Sequence, residues 1–173
     1  MMASARHRLV LSIYLSSRGY AFVLFEGALS PFDWGVHAAQ GPRKNASCLR
    51  RIERILATYE PDALVMQDTT SGGTRRAGRV QRLNLSLAES ADSCGVPTYA
   101  YSRVHVRNCF RSLPIVTKHT MAEAIAKSIP AFERYLPPQR KPWMSEHARM
   151  ALFDAAALAL THFQALGQEM LVP

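Results

Sequence analysis

The sequence predicts an α/β fold: a mixed five-stranded sheet that opens with an antiparallel three-stranded meander and is flanked by helices. Three observations predict it. Two β-rich runs separated by a short break open the chain, helical and strand-like segments then alternate, and a small-residue apolar helix closes it. With 173 residues, 48% of them hydrophobic, the chain can bury a core without disulfides or metal staples. Residues 1–173 are therefore read as one domain.

Residues 9–14 and 20–26 are the two β-rich runs, and Ser16-Ser17-Arg18-Gly19 between them has hairpin length. The first is apolar almost throughout, as suits a strand covered on both faces. A third strand fits residues 33–38, after the breaker Ser30-Pro31. Gly41-Pro42 marks a loop, and a helix over 45–59 follows, with Leu49, Ile52 and Leu56 on one face. Pro61-Asp62 ends it, and 63–67 is short, apolar and bounded by breakers, as a buried strand is.

Asp68 to Thr74 is polar and contains Gly72-Gly73, so it is an exposed loop at the end of that strand. It leads into a second helix running to Ser93, with Val80, Leu83, Leu87 and Ala91 inward. Arg75, Arg79 and Arg82 fall at i, i+4 and i+7, with Arg76 beside them, so guanidinium groups line its first turns. A cationic helix start opposes the helix dipole unless anions sit there, and phosphates would supply them. A solvated arginine face is the plain alternative.

Gly95-Val96-Pro97 turns into a strand over 98–101, and Ser102 is placed to cap a short helix carrying Arg103, Arg107 and Arg111. After Leu113-Pro114, Thr117-Lys118-His119-Thr120 opens another helix over 121–128, closed by Pro130. A Pro-rich linker at 137–142 delivers the last helix. There Met150, Phe153, Ala157, Leu160 and Thr161 mark one apolar face, and Asp154 sits on that same face. A carboxylate so placed is paired, metal-bound or at the open edge of the core.

Charge points to a partner. Twenty-one Lys plus Arg against 13 Asp plus Glu gives a net +8, and arginine, whose planar fork fits phosphate oxygens, greatly outnumbers lysine. A polyanion, above all nucleic acid, is the partner this suits. Cys48, Cys94 and Cys109 are odd in number and widely spaced, as bystander thiols in a reducing compartment are. Arg6 and Arg8 precede an apolar run as in a signal peptide, but the run is only 9–15 and a strand explains it better. The expectation is a cytoplasmic protein without a membrane span. Trp34 and Trp143 have the chemistry to stack on bases, although such aromatics more often pack in or around the core.

The element order, with Phe25-Glu26-Gly27, Asp33-Trp34-Gly35, Pro61-Asp62, Thr117-Lys118-His119, and Lys141-Pro142-Trp143 through Asp154-Ala155-Ala156-Ala157, resembles the RNase H-like fold. More narrowly it resembles RuvC-type Holliday-junction resolvases, over nearly the whole chain. The resemblance implies a two-metal nuclease, in which converging carboxylates hold Mg²⁺ or Mn²⁺ to activate water and stabilise the leaving oxygen. It also implies DNA rather than RNA as partner, and a homodimer.

Residue by residue, the sequence departs from that pattern. Tyr14 stands where the first strand of such enzymes carries an essential Asp, and Gln67 where the central strand carries a Glu, with Asp68 one residue later. Asp154 keeps the acid of the final helix. Glu146 is the one acid left a turn or two earlier, among His147 and Ala151. A phenol with a reference pKa of about 10 stays neutral, and an amide offers only a neutral oxygen. Side chains alternate along a strand, so Asp68 replaces Gln67 only if the strand ends there.

Three readings follow. The first is a nucleic-acid-binding protein whose nuclease centre has decayed, contacting phosphates through Arg75, Arg76, Arg79, Arg82, Arg103, Arg107, Lys118 and Lys141. The second is an active, rearranged endonuclease using Asp154, Glu146 and Asp68 as metal ligands, with His147 or His119 as a proton-transfer group. The third is a protein-interaction module that uses the fold as a scaffold.

Overall fold

The computed structural model describes residues 9–70 and 78–167. Strands β1 (Val10–Ser16), β2 (Gly19–Phe25) and β3 (Pro31–Ala38) form the opening meander, followed by helix α1 (Lys44–Tyr59) and strand β4 (Ala63–Gln67). Helix α2 (Gly78–Ser93), strand β5 (Thr98–Tyr101) and helices α3 (Arg103–Cys109), α4 (Lys118–Ser128) and α5 (Met150–Ala165) complete the order. The sheet runs β3-β2-β1-β4-β5, with β1 antiparallel to β2 and parallel to β4.

Strand β1 is central, and its alternation divides the core. Leu11, Ile13 and Leu15 face α1 and α2, where they meet Ile52, Leu56, Leu83 and Leu87. Val10 and Tyr14 face the other side, towards α4 and α5. Both layers are buried, which is why β1 reads as an unbroken apolar run. Ser12, on the α5 side, is fully buried and donates its hydroxyl to the Ala155 carbonyl at 2.6 Å, so its polar atom is satisfied.

The boundaries differ from expectation where local chemistry is compact. The β1–β2 turn is only Ser17 and Arg18, so both strands begin and end closer to it. Gly19 makes this possible: its φ is +148°, and a Cβ there would fall 1.9 Å from the His37 carbonyl oxygen. Helix α4 starts at Lys118 rather than at residue 121, because Thr117 and Thr120 form a reciprocal capping box. Pro130 ends α4 but opens a 3-10 helix, Pro130–Tyr135, which buries Phe132 against Trp34 and Phe153. Residues 136–149 then run without helix or strand.

Helix α5 is more enclosed than a one-faced amphipathic helix. From Ala155 to Phe163 every side chain is buried, because the helix lies between the sheet on one side and α3 and α4 on the other. Ala155, Ala156, Ala157 and Ala159 are small enough to admit that approach. The three cysteines are free thiols, and among the described residues no helix is long and apolar enough to cross a membrane.

Candidate active cleft and nucleic-acid surface

Strands β1 and β4 are parallel neighbours whose paired residues Ile13 and Met66 are each followed by one cleft residue, Tyr14 and Gln67. Above these strand ends opens a cleft of about 1000 Å³, walled by α3, the start of α4, the segment before α5, and α5 itself. Asp154 enters it from the second turn of α5 and Glu146 from the preceding segment. Arg18 holds that segment in place by donating to the Glu146 carbonyl at 2.8 Å.

What joins the two acids is Lys118. Its Nζ lies 3.0 Å from Glu146 Oε1 and 3.3 Å from Asp154 Oδ2, and 5.5 Å from the centre of the Tyr14 ring. The capping box explains the position, since it fixes Lys118 as the first residue of α4 and aims it across the cleft at α5. Burial pulls the ammonium pKa down, but Asp154, Tyr14 and Glu146 together outweigh that and hold it above its ordinary value. The lysine is therefore charged throughout the neutral range. The side chains of Lys118, Glu146 and Asp154 are 32, 42 and 12% exposed, so the Asp154 contact is the better shielded and stronger of the two.

The donor set does not fit a two-metal centre. Tyr14 and Gln67 bring a phenol and an amide, and one oxygen of each remaining carboxylate already accepts from an ammonium. Asp68 directs its Oδ1 to Thr70, whose backbone N–H and hydroxyl donate at 2.8 and 2.7 Å. Among the described residues no group of three His, Cys, Asp or Glu side chains is arranged to hold a metal ion. So Glu146 and Asp154 come together and Asp68 lies apart from them.

Both histidines line the cleft. The backbone N–H of Arg149 donates to His147 Nδ1 at 3.1 Å, and His119 Nε2 lies 2.6 Å from Glu123 one turn along α4. The buried His119 Nδ1 has no hydrogen-bond partner among the described residues.

The arginines separate into two groups. Arg79 reaches inward, donating to the Ser16 carbonyl at 3.0 Å and to Asn45, so it ties α2 to β1 and α1. Arg82 lies exposed on α2, while Arg75 and Arg76 lie outside the described residues. Arg103 and Arg107 of α3 line the cleft, and Arg107 also donates to the Val116 carbonyl at 2.9 Å. Arg140, which the sequence reading passed over, lines it too, whereas its neighbour Lys141 stands 5.4 Å from the Trp143 ring. Lining the cleft are thus Arg103, Arg107, Lys118 and Arg140 against Glu146 and Asp154, a surplus of positive charge.

No protein-family model and no curated protein matches the chain. Solved structures do. RuvC of Thermus thermophilus superposes with a TM-score of 0.66 at 19% identity, covering 95% of this chain and 99% of that one. The same protein in complex with a Holliday junction substrate gives a TM-score of 0.66 at 20% identity, covering 96% and 100%. The chain has the RuvC-like RNase H fold, with its mixed five-stranded sheet and flanking helices.

Proposed function

We propose that this protein binds nucleic acid, DNA in preference to RNA, through the cleft, and that metal-dependent phosphodiester hydrolysis is lost or weakened in it. One observation carries the reading: the Lys118 ammonium bridges Glu146 and Asp154 in a cleft whose strand ends present Tyr14 and Gln67. A fixed lysine offsets part of the negative charge of the carboxylates that would otherwise repel phosphate, and it competes with a metal for their oxygens. Phosphate contacts need no catalytic metal, only cations placed along the backbone path. The neighbour with this fold is seen with a Holliday junction substrate, which supports DNA as the ligand class.

The alternative is an active endonuclease with a rearranged acid set. It is favoured by the convergence of Glu146 and Asp154 on one cation, with His147 in the same cleft. Incubation with branched and linear DNA in Mg²⁺ or Mn²⁺, beside an Asp154→Asn control, separates the two. The proposed function predicts retention of DNA that weakens steeply with salt, and no cleavage above background. Cleavage that disappears in the Asp154→Asn protein would sink it in favour of the endonuclease.

A further inference from the structure

The two tryptophans have different fates. Trp34 packs edge-on against Phe132 at 5.2 Å and Tyr135 at 6.4 Å, and is part of the fold. Trp143 is 78% exposed, and the Lys141 ammonium stands over its ring at 5.4 Å. Of the other large apolar side chains at the surface, Phe32 and Val36 lie on β3 and Leu85 on α2, and the remaining three lie around the cleft. Val104, Ile115 and Met144 lie, like Trp143, in or next to segments that wall the cleft, each either lining it or adjoining a lining residue. Those segments also carry Arg103, Arg107 and Arg140.

An exposed indole with an ammonium over it, on a segment that also carries Arg140, is a surface with two demands. The cations call for a polyanion, and the aromatic and aliphatic groups call for flat, weakly hydrated faces. An unpaired nucleotide meets both, because its phosphate is anionic and its base has a free π-face. A continuous duplex meets only the first, since its bases are already stacked on one another. Lys141, whose ammonium stands over one face of the indole, adds a positive charge that a nucleotide phosphate would answer.

We propose that Trp143 is a stacking platform for an unpaired DNA base at the mouth of the cleft, and that it gives the protein a preference for single-stranded DNA over plain duplex. The proposal rests on the cleft binding DNA, and its test keeps the two apart. The full-length protein is titrated with a short oligothymidylate and with a blunt duplex of equal length, following tryptophan fluorescence and affinity in the wild type, Trp143→Ala and Trp143→Phe. The expected result is quenching by the oligothymidylate that vanishes in both variants. Trp143→Ala should weaken oligothymidylate binding roughly 5- to 100-fold with little change for duplex. Phe, which still stacks, should recover most of that loss. Salt-sensitive binding of both DNAs that ignores Trp143→Ala would overturn the platform and leave the cleft reading standing. No binding of either DNA at low salt would overturn both, and a preference for the matching ribo-oligonucleotide would overturn the choice of DNA.

Discussion

At the floor of the cleft every charge is answered by a neighbour: Lys118 lies between Glu146 and Asp154, with the Tyr14 ring beneath it. At the rim the balance is open, with Arg103, Arg140 and Lys141 exposed to solvent alongside Trp143. The two regions share one cavity but perform separable tasks. A nuclease positions its substrate with phosphate contacts and breaks the bond with a metal centre, and only the second task requires several carboxylates at one point. On the proposed function, a floor without those acids would leave the rim intact. The comparison predicts that rim substitutions change binding and spare stability, while floor substitutions do the reverse.

The largest effect belongs to the rim. Removing Arg103, Arg107 and Arg140 together, each to Ala, should lower DNA affinity roughly 100-fold at low salt and flatten the dependence of log K on log salt by about two to three. Fluorescence anisotropy across a salt series measures both, and the urea midpoint of the triple variant should stay near that of the wild type. An unchanged salt slope would move the binding surface away from this cleft.

A smaller effect, on stability, is expected at the floor. Lys118→Met leaves Glu146 and the well-shielded Asp154 facing one another without their cation, at a cost of about 1–3 kcal/mol after allowing for the exposure of Lys118 and Glu146. The pH dependence identifies the cause. The folded-state pKa of Lys118 is raised, so its stabilising contribution is complete below the ordinary value of 10.5 and is lost as pH rises through the folded value. Tyr20, pushed up to about 12 by burial, also drains stability above pH 10, because the unfolded chain gives up that proton first. It does so in both proteins. The gap between the wild-type and Lys118→Met curves should therefore be constant through neutral pH and close in strong alkali, as read by denaturation at successive pH values.

The difference between floor and rim also marks what the sequence could disclose. Strand alternation, breakers and helical spacing are local, so the five strands, their order along the chain and the Ser102 cap were all readable. The enclosure of α5 was not, because a run such as Ala155-Ala156-Ala157 is buried on every side only when α3 and α4 cover it. Lys118 reads as one more phosphate-binding cation, yet its partners lie 28 and 36 residues away and meet it only through the packing of α4 on α5. Arg79 is similar: its spacing with Arg75 and Arg82 suggests a common face, but its guanidinium spans to Ser16, 63 residues back. Arg140 and Lys141 are adjacent cations, and only the course of the irregular segment decides which lines the cleft. Helix and strand periods carry no information about such long-range pairs.

The smallest effect is the most direct test of the proposal that the floor lacks a metal centre. If the metal centre is absent because Tyr14 and Gln67 supply no charge and Lys118 occupies the two remaining acids, then Tyr14→Asp, Gln67→Glu and Lys118→Ala together should rebuild a cation site. A weak site with a dissociation constant of about 1 mM would, at about 10 mM Mn²⁺, stabilise the variant by roughly 1.4 kcal/mol. For a chain of this size that raises the melting temperature by about 3–5 °C over the same variant without metal. Adding Asp154→Asn should cancel the increment, because the α5 carboxylate is the one acid retained at the core edge. The wild type should show no comparable shift, since its two carboxylates are already bridged by an ammonium the fold itself holds in place. An equal Mn²⁺ shift in the wild type would mean that the metal displaces Lys118, and the floor and rim would then have to be treated as parts of one working catalytic centre.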